Sequence, residues 1–556
     1  MIRTRILRGY APAIGACVAA LAAALQAGCG AAEMENDGEE DPVEAALALS
    51  GSGSSCNGSG GIAPLRCAVR PSPTGGDIVN AAAAIRLGKA LFWDTQTGGD
   101  GQVACATCHF HGGTDARLTN TVNPGPDTTF NIVAGPGATL LNFVSFNADD
   151  RIGAQGVVKQ IFSNISSNPN VAADVCTPDA SGIFGTERQV TGRNAPSTIG
   201  ALFNRDNFWD GRANHRFNGR DPFGATANAS AFLINPPQND ASLASQSVGP
   251  PENGVEMSCA GRLFNGPNSL GEKMLARAAL RLQLVSPTDS VLGAYSAAPA
   301  NGLRCGGSPC TYATLINDAF GQGAGIATSQ FSRFFGQAIQ AYEATLIPDS
   351  APIDRFLQGD QQALTTSQQK GLGIFTSGKG ACTSCHGGPE LSDATLGNFL
   401  RQGPINEDGG DQGFHNLGVR PTFEDLGRAG LGPNNVSFSV SHAAADRGAF
   451  KTPQLRNLKL TAPYFHNGDK ATIADVVDFY MRGGDFANPE KAKRINAFSL
   501  QPDQRAGLID FLTNGLTDCR VEKDAAPFDH PSLVVPMAPN DLIVPAVGKA
   551  GTGPCP

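Results

Sequence analysis

Two five-residue stretches constrain this chain more than anything else in it: CATCH, Cys105–His109, and CTSCH, Cys382–His386. A structural zinc site needs four ligands gathered from two close pairs, and these pairs lie far apart in the chain. A thioredoxin-like CxxC wants a βαβ setting and no adjacent histidine. A covalent c-type haem wants this arrangement: two thiols form thioethers to the porphyrin, and the histidine that follows becomes an axial ligand of the iron. The repeat therefore predicts two covalently bound haem c groups, attached at Cys105/Cys108 and Cys382/Cys385, with His109 and His386 as iron ligands. His111 follows His109 by two residues, so on a helical turn it points roughly 200° away. It cannot reach the opposite face of the same iron and reads as a bystander.

The first 28 residues read as an export signal. Arg3, Arg5 and Arg8 precede the apolar run APAIGACVAALAAAL and the small residues of QAGC. Cys29 resembles the lipidated cysteine of a bacterial lipobox, with Gln26 where that motif usually has leucine. The expectation is a periplasmic protein, with a lipid anchor to the outer membrane through Cys29. Export implies an oxidising compartment. Of the 14 cysteines, Cys17 and Cys29 lie in the signal region and four in the CxxCH motifs. The other eight suit up to four disulfides, with Cys56/Cys67 and Cys305/Cys310 the closest pairs in sequence. A net charge of −9 and the lack of a basic run interleaved with aromatics argue against a nucleic-acid partner.

Helical apolar spacing appears in NAAAAIRLGKALFWD before the first motif and in TTSQQKGLGIFTS before the second. It recurs in GEKMLARAALRLQLV, FSRFFGQAIQAYEATLI, KATIADVVDFYMRGG and QPDQRAGLIDFLTNGL. Each half thus runs helix, CxxCH, loops, helix. The fold class predicted is mostly α, two cytochrome c-like haem domains with long loops and insertions. The expected layout is signal peptide 1–28, flexible tether 29–75, an N-terminal peroxidatic haem domain 76–347, a C-terminal electron-transfer haem domain 348–520, and a tail 521–556. PDSAPID marks the junction between the halves.

A series of ordered blocks carries a more specific likeness. The first half has LGKALFWD, RNAPSTIGALFN, FWDGRA and SQSVGPPENGVEM; the second has FGQAIQAYEATL, ACTSCHGG, GAFKTPQLRNLKLTAPYFHNG and VVDFYMRGG. Over roughly residues 80–520 the chain resembles the bacterial di-haem cytochrome c peroxidase family, which includes MauG-like enzymes. The resemblance implies reduction of hydrogen peroxide to water at the first haem, with electrons arriving through the second from a small periplasmic donor, a cytochrome c or a cupredoxin. It places Gln246 and Glu256 on the family's active-site glutamine and glutamate, and Trp209 on the tryptophan between the haems. It also implies a Ca²⁺ held at the domain interface by Asn194, Thr461 and Pro463, whose amide and carbonyl oxygens are suitable hard donors. Without those blocks Glu256 would read as an ordinary solvated carboxylate.

Two departures from the family pattern bear on function. Many members carry a histidine between the first CxxCH and RNAP that ligates the resting first iron; after His111 this interval has none. His215 is a conceivable substitute but reads by default as surface polarity. On the helix after PYFHNG, where the family has a methionine ligand to the second iron, stands Tyr480, as in MauG, which matures a tryptophan-derived quinone in another protein; the resemblance implies Tyr480 as a ligand of the second iron. Met481 lies one residue on, about 100° around the helix. Three functions remain open on these residues: a peroxidase, an oxidase or oxygenase acting on another substrate, and a non-catalytic electron-transfer cytochrome.

Overall fold

The structure is a computed structural model that describes residues 56, 61–73, 76–130, 149–228, 230 and 232–555. The expected signal peptide, Cys29 and most of the expected tether lie outside the described residues. Helices are the main regular elements. The strands form six antiparallel pairs, each a sheet of two, among the described residues.

Two apolar cores organise the chain. In the first, helix α1 (Ala81–Trp93) crosses helix α2 (Phe331–Glu343). Asn80 starts α1 by accepting a hydrogen bond from the Ala83 amide at 3.1 Å, which satisfies one of the donors left open at a helix start. The crossing is close because Gly88 has no side chain: a Cβ there would stand 1.9 Å from the Ala338 carbonyl oxygen. The second core repeats the device. Helix α3 (Thr366–Thr376) begins on a Thr365/Gln368 capping box, and its Gly371 lies against helix α5 (Pro502–Asp510), where a Cβ would meet the Gly507 carbonyl at 2.0 Å. Helix α4 (Ile473–Met481) packs Ile473 and Val477 into this core. It ends at Gly483 and Gly484, both at positive φ (79° and 92°), a conformation glycine adopts without steric cost.

Several expectations change. GEKMLARAALRLQLV is helical only over Leu270–Leu275. Beyond it, tertiary partners take the groups a helix would use: the Leu280 amide donates to Asp94 at 2.8 Å, and Arg277 donates to the Ser166 carbonyl at 3.0 Å. Residues 61–73, expected within a flexible tether, are pinned. Ile62 is buried in the second core, the Leu65 amide donates to Asp354 at 2.8 Å, and Cys67 is bridged to Cys56. The tail is also ordered, with Val521, Phe528, Leu533 and Val535 returning to the first core.

Candidate active site

All eight cysteines set aside for disulfides are paired, as Cys56–Cys67, Cys176–Cys259, Cys305–Cys310 and Cys519–Cys555. Among the described residues this leaves Cys105, Cys108, Cys382 and Cys385 as the free thiols. Each CxxC forms one helical turn that opens onto a cavity.

The first cavity, about 780 Å³, is lined by Cys105, Cys108 and His109 together with Gln246, Glu256 and Trp209. The His109 Nδ1 lies 2.7 Å from the Gly113 carbonyl. A carbonyl only accepts, so Nδ1 carries the proton and Nε2 keeps its lone pair for a metal. Burial lowers the His109 pKa and favours the neutral imidazole a metal requires. The second cavity, about 230 Å³, is lined by Cys382, Cys385, His386 and Tyr480. The His386 Nδ1 faces the Leu391 carbonyl at 3.0 Å, and burial again lowers its pKa. Free thiol pairs, tautomer-fixed imidazoles and an adjoining cavity make both places chemically fit for a covalent haem.

The predicted residues gather around these cavities. Burial pushes the Glu256 carboxyl above its usual range, Arg212 opposing; the Asn253 side-chain amide donates to it at 3.4 Å. Gln246 comes from the short helix Ser242–Ser247. Trp209 lines both cavities and donates from Nε1 to the Asn194 carbonyl at 2.8 Å. Its ring meets that of His466 edge-on, with centroids 6.5 Å apart. Asn194, Thr461 and Pro463 line the second cavity together. The Asn194 Nδ2 donates to the Pro463 carbonyl at 2.6 Å, so a cation between them requires the amide turned over to present Oδ1. Tyr480 faces the second cavity, and burial raises the pKa of its hydroxyl. Met481 instead packs against the second core.

The two outlying histidines stay away. His111 is exposed, and His215 bonds Asp206 at 2.9 Å and Arg205 at 3.1 Å. Neither lines either of these two cavities.

Glu343 and Lys451 are among the lining residues that escaped the sequence reading. Glu343, 1% exposed, ends α2 facing the first cavity; burial pushes its pKa up to about 8, and its Oε2 has no hydrogen-bond partner among the described residues. Its signal was available, since Phe331, Phe335, Ile339 and Glu343 follow one another at i+4 and the carboxylate interrupts an apolar stripe. Lys451 lines both cavities and stands inside the apolar block GAFKTPQL.

Comparison with known proteins agrees with this chemistry. The chain is 36% identical over 200 residues to the cytochrome-c peroxidase IdrP2 of Denitromonas iodatirespirans, covering 32% of this chain and 47% of that one. It is 30% identical over 201 residues to the methylamine utilization protein MauG of Methylorubrum extorquens (36% and 48%). To the cytochrome c peroxidase Ccp of Escherichia coli it is 25% identical over 409 residues (72% and 53%). The chain thus spans about half the length of the curated relatives it matches. The family model for di-haem cytochrome c peroxidase matches residues 82–362, a stretch that takes in the first CxxCH turn, Gln246, Glu256 and α2. On that match this chain belongs to the di-haem cytochrome c peroxidase family.

Proposed function

We propose that this chain reduces hydrogen peroxide to water at the first haem, drawing electrons through the second from a small periplasmic cytochrome c or cupredoxin. The observation that carries the reading is the joint presence of Gln246 and Glu256 in the cavity of His109. The haems, held by Cys105/Cys108/His109 and Cys382/Cys385/His386, would supply the iron that takes peroxide and the couples that carry electrons. Turning one peroxide into two waters consumes two electrons and two protons. A proton must leave one oxygen and reach the other, and a carboxyl whose pKa burial has raised can hold and hand over that proton. The Gln246 amide can donate to and orient the peroxide oxygens. Trp209, lining both cavities, is placed to connect them. His109 is the one histidine among the described residues that line the first cavity, which supports a first iron open to peroxide without prior loss of a histidine.

The separate apolar cores support assigning peroxide chemistry to 76–347 and electron entry to 348–520. Asn194, Thr461 and Pro463 are the residues we assign to Ca²⁺. No described helix is long and apolar enough to cross a membrane; export and a lipid at Cys29 rest on the sequence.

A second reading, an enzyme that oxidises another molecule, is favoured by Tyr480. An anionic oxygen donor at the second iron stabilises the ferric form and disfavours a simple relay. Stopped-flow spectroscopy of the holoprotein with peroxide, with and without a reduced donor, tests both. Rapid reaction with peroxide and sustained donor oxidation support the peroxidase. Rapid reaction without donor turnover supports the second reading, and no reaction with peroxide removes both.

A further inference from the structure

Lys451 sits in the two-residue strand Phe450–Lys451, paired with Phe414–His415. Its backbone amide donates to the Trp209 carbonyl at 2.7 Å, which ties it to the tryptophan at the meeting of the two cavities. The residue is 5% exposed and lines both cavities. Among the described residues no hydrogen bond or ion pair involves its Nζ. Burial acts on its pKa, lowering it to about 8. The carboxylates nearby are committed elsewhere. Asp425 pairs with Arg193 at 2.7 Å and Arg151 at 3.4 Å. Asp210 pairs with Arg193 at 2.6 Å and Arg212 at 2.8 Å. Glu256 and Glu343 act electrostatically at the Cys105 end of the first cavity.

A buried ammonium without a partner costs on the order of several kcal/mol, so this position calls for an anion that the polypeptide does not provide. The groups attached at the two CxxCH motifs bring anions into these cavities, because each haem c carries two propionate carboxylates. We propose that Lys451 is a carboxylate-binding residue at the junction of the two cavities, its ammonium pairing with a haem propionate. A cation fixed there offsets the propionate charge. It thereby favours the reduced iron, which carries one positive charge fewer, and holds that haem's reduction potential up. Arg193 and Arg212 are already engaged, Arg193 with Asp425 and Asp210 and Arg212 with Asp210.

The inference rests on membership of the di-haem family and not on the peroxidase reading, and its test involves no turnover. Equilibrium spectroelectrochemical titration of the di-haem protein compares wild type with Lys451→Met, Lys451→Gln and Lys451→Arg. The expected result is a lowered midpoint potential for at least one haem in the Met and Gln variants, with Arg close to wild type. The propionate-bending band in the resonance Raman spectrum should shift in the two uncharged variants only. Whichever potential falls identifies the haem whose propionate is held. If Lys451→Met does not mature with two haems, Lys451→Gln, which keeps most of the length and a donor without the charge, is read the same way. Unchanged potentials and Raman bands in the uncharged variants would overturn the proposal, as would an equal shift in Lys451→Arg, which would trace the effect to volume.

Discussion

Two carboxylates share the first cavity, and their surroundings give them different work. Glu256 is half-buried and its carboxylate accepts a long hydrogen bond from the Asn253 side-chain amide; Glu343 is enclosed. Glu256→Gln keeps the shape but cannot exchange a proton. It should slow peroxide cleavage by roughly 10²- to 10⁴-fold, the usual contribution of a positioned acid/base group, while both haem spectra stay nearly unchanged. Peroxide consumption at the wild-type rate in this variant would remove Glu256 from the mechanism. Glu343 makes a prediction about stability. Its folded-state pKa of about 8 lies above the value of about 4.3 for a solvated glutamate. Between those values the folded protein holds a proton that the unfolded chain has released. Stability therefore falls as pH rises through this window, by about 1.4 kcal/mol per unit, and levels off above it. Glu343→Gln removes that slope. Denaturant titrations at pH 5 and pH 8 should show wild type losing more stability than the variant; equal losses would mean that Glu343 titrates as a solvated group.

At the scale of elements, both cores depend on a glycine at a helix crossing. Gly88→Ala would drive a methyl into the Ala338 carbonyl and to within 2.9 Å of the Tyr342 Cβ, forcing α1 off α2. Overpacking of this kind typically costs about 1–3 kcal/mol, and a denaturant midpoint no lower than wild type would show that the crossing yields. These crossings were not legible in the sequence, since a glycine within a helical pattern records only a low propensity. What was legible had a strong local signature. α1 to α5 each lie within a segment marked by apolar periodicity, and the haem turns follow from CxxCH alone. GEKMLARAALRLQLV failed as a helix because Asp94 and the Ser166 carbonyl, distant in sequence, claim its groups. Gln246, Glu256 and Trp209 came from ordered family blocks, and the cavities that they line are formed only by folding. Lys451 and Glu343 were missed because a charge within an apolar block reads as exposed until its neighbours are known.

Across the whole molecule, the C-terminal segment after the second haem half returns to the first core. Phe528, Leu533 and Val535 are buried there, and His530 stacks on Trp93 with centroids 4.6 Å apart. Asp529 joins Asp289 around the fully enclosed Lys89 ammonium, at 3.6 and 2.8 Å. Arg117, close to the first CxxCH turn, donates to the Pro536 carbonyl at 3.3 Å. The Cys519–Cys555 bridge holds the two ends of this segment together. Removing residues 525–555 would strip three large apolar side chains from the first core, each worth about 1.5–3 kcal/mol when buried. It would also take one of the two carboxylates from Lys89. None of these contacts belongs to the second core, so the loss should be local: on heating, the absorbance of the first haem should change at a lower temperature than in wild type, while that of the second should hold. Spectra separated by redox state can follow each haem through the melt. If the truncated protein loses both signals together at the wild-type temperature, the segment is a passive appendage and the first core stands without it.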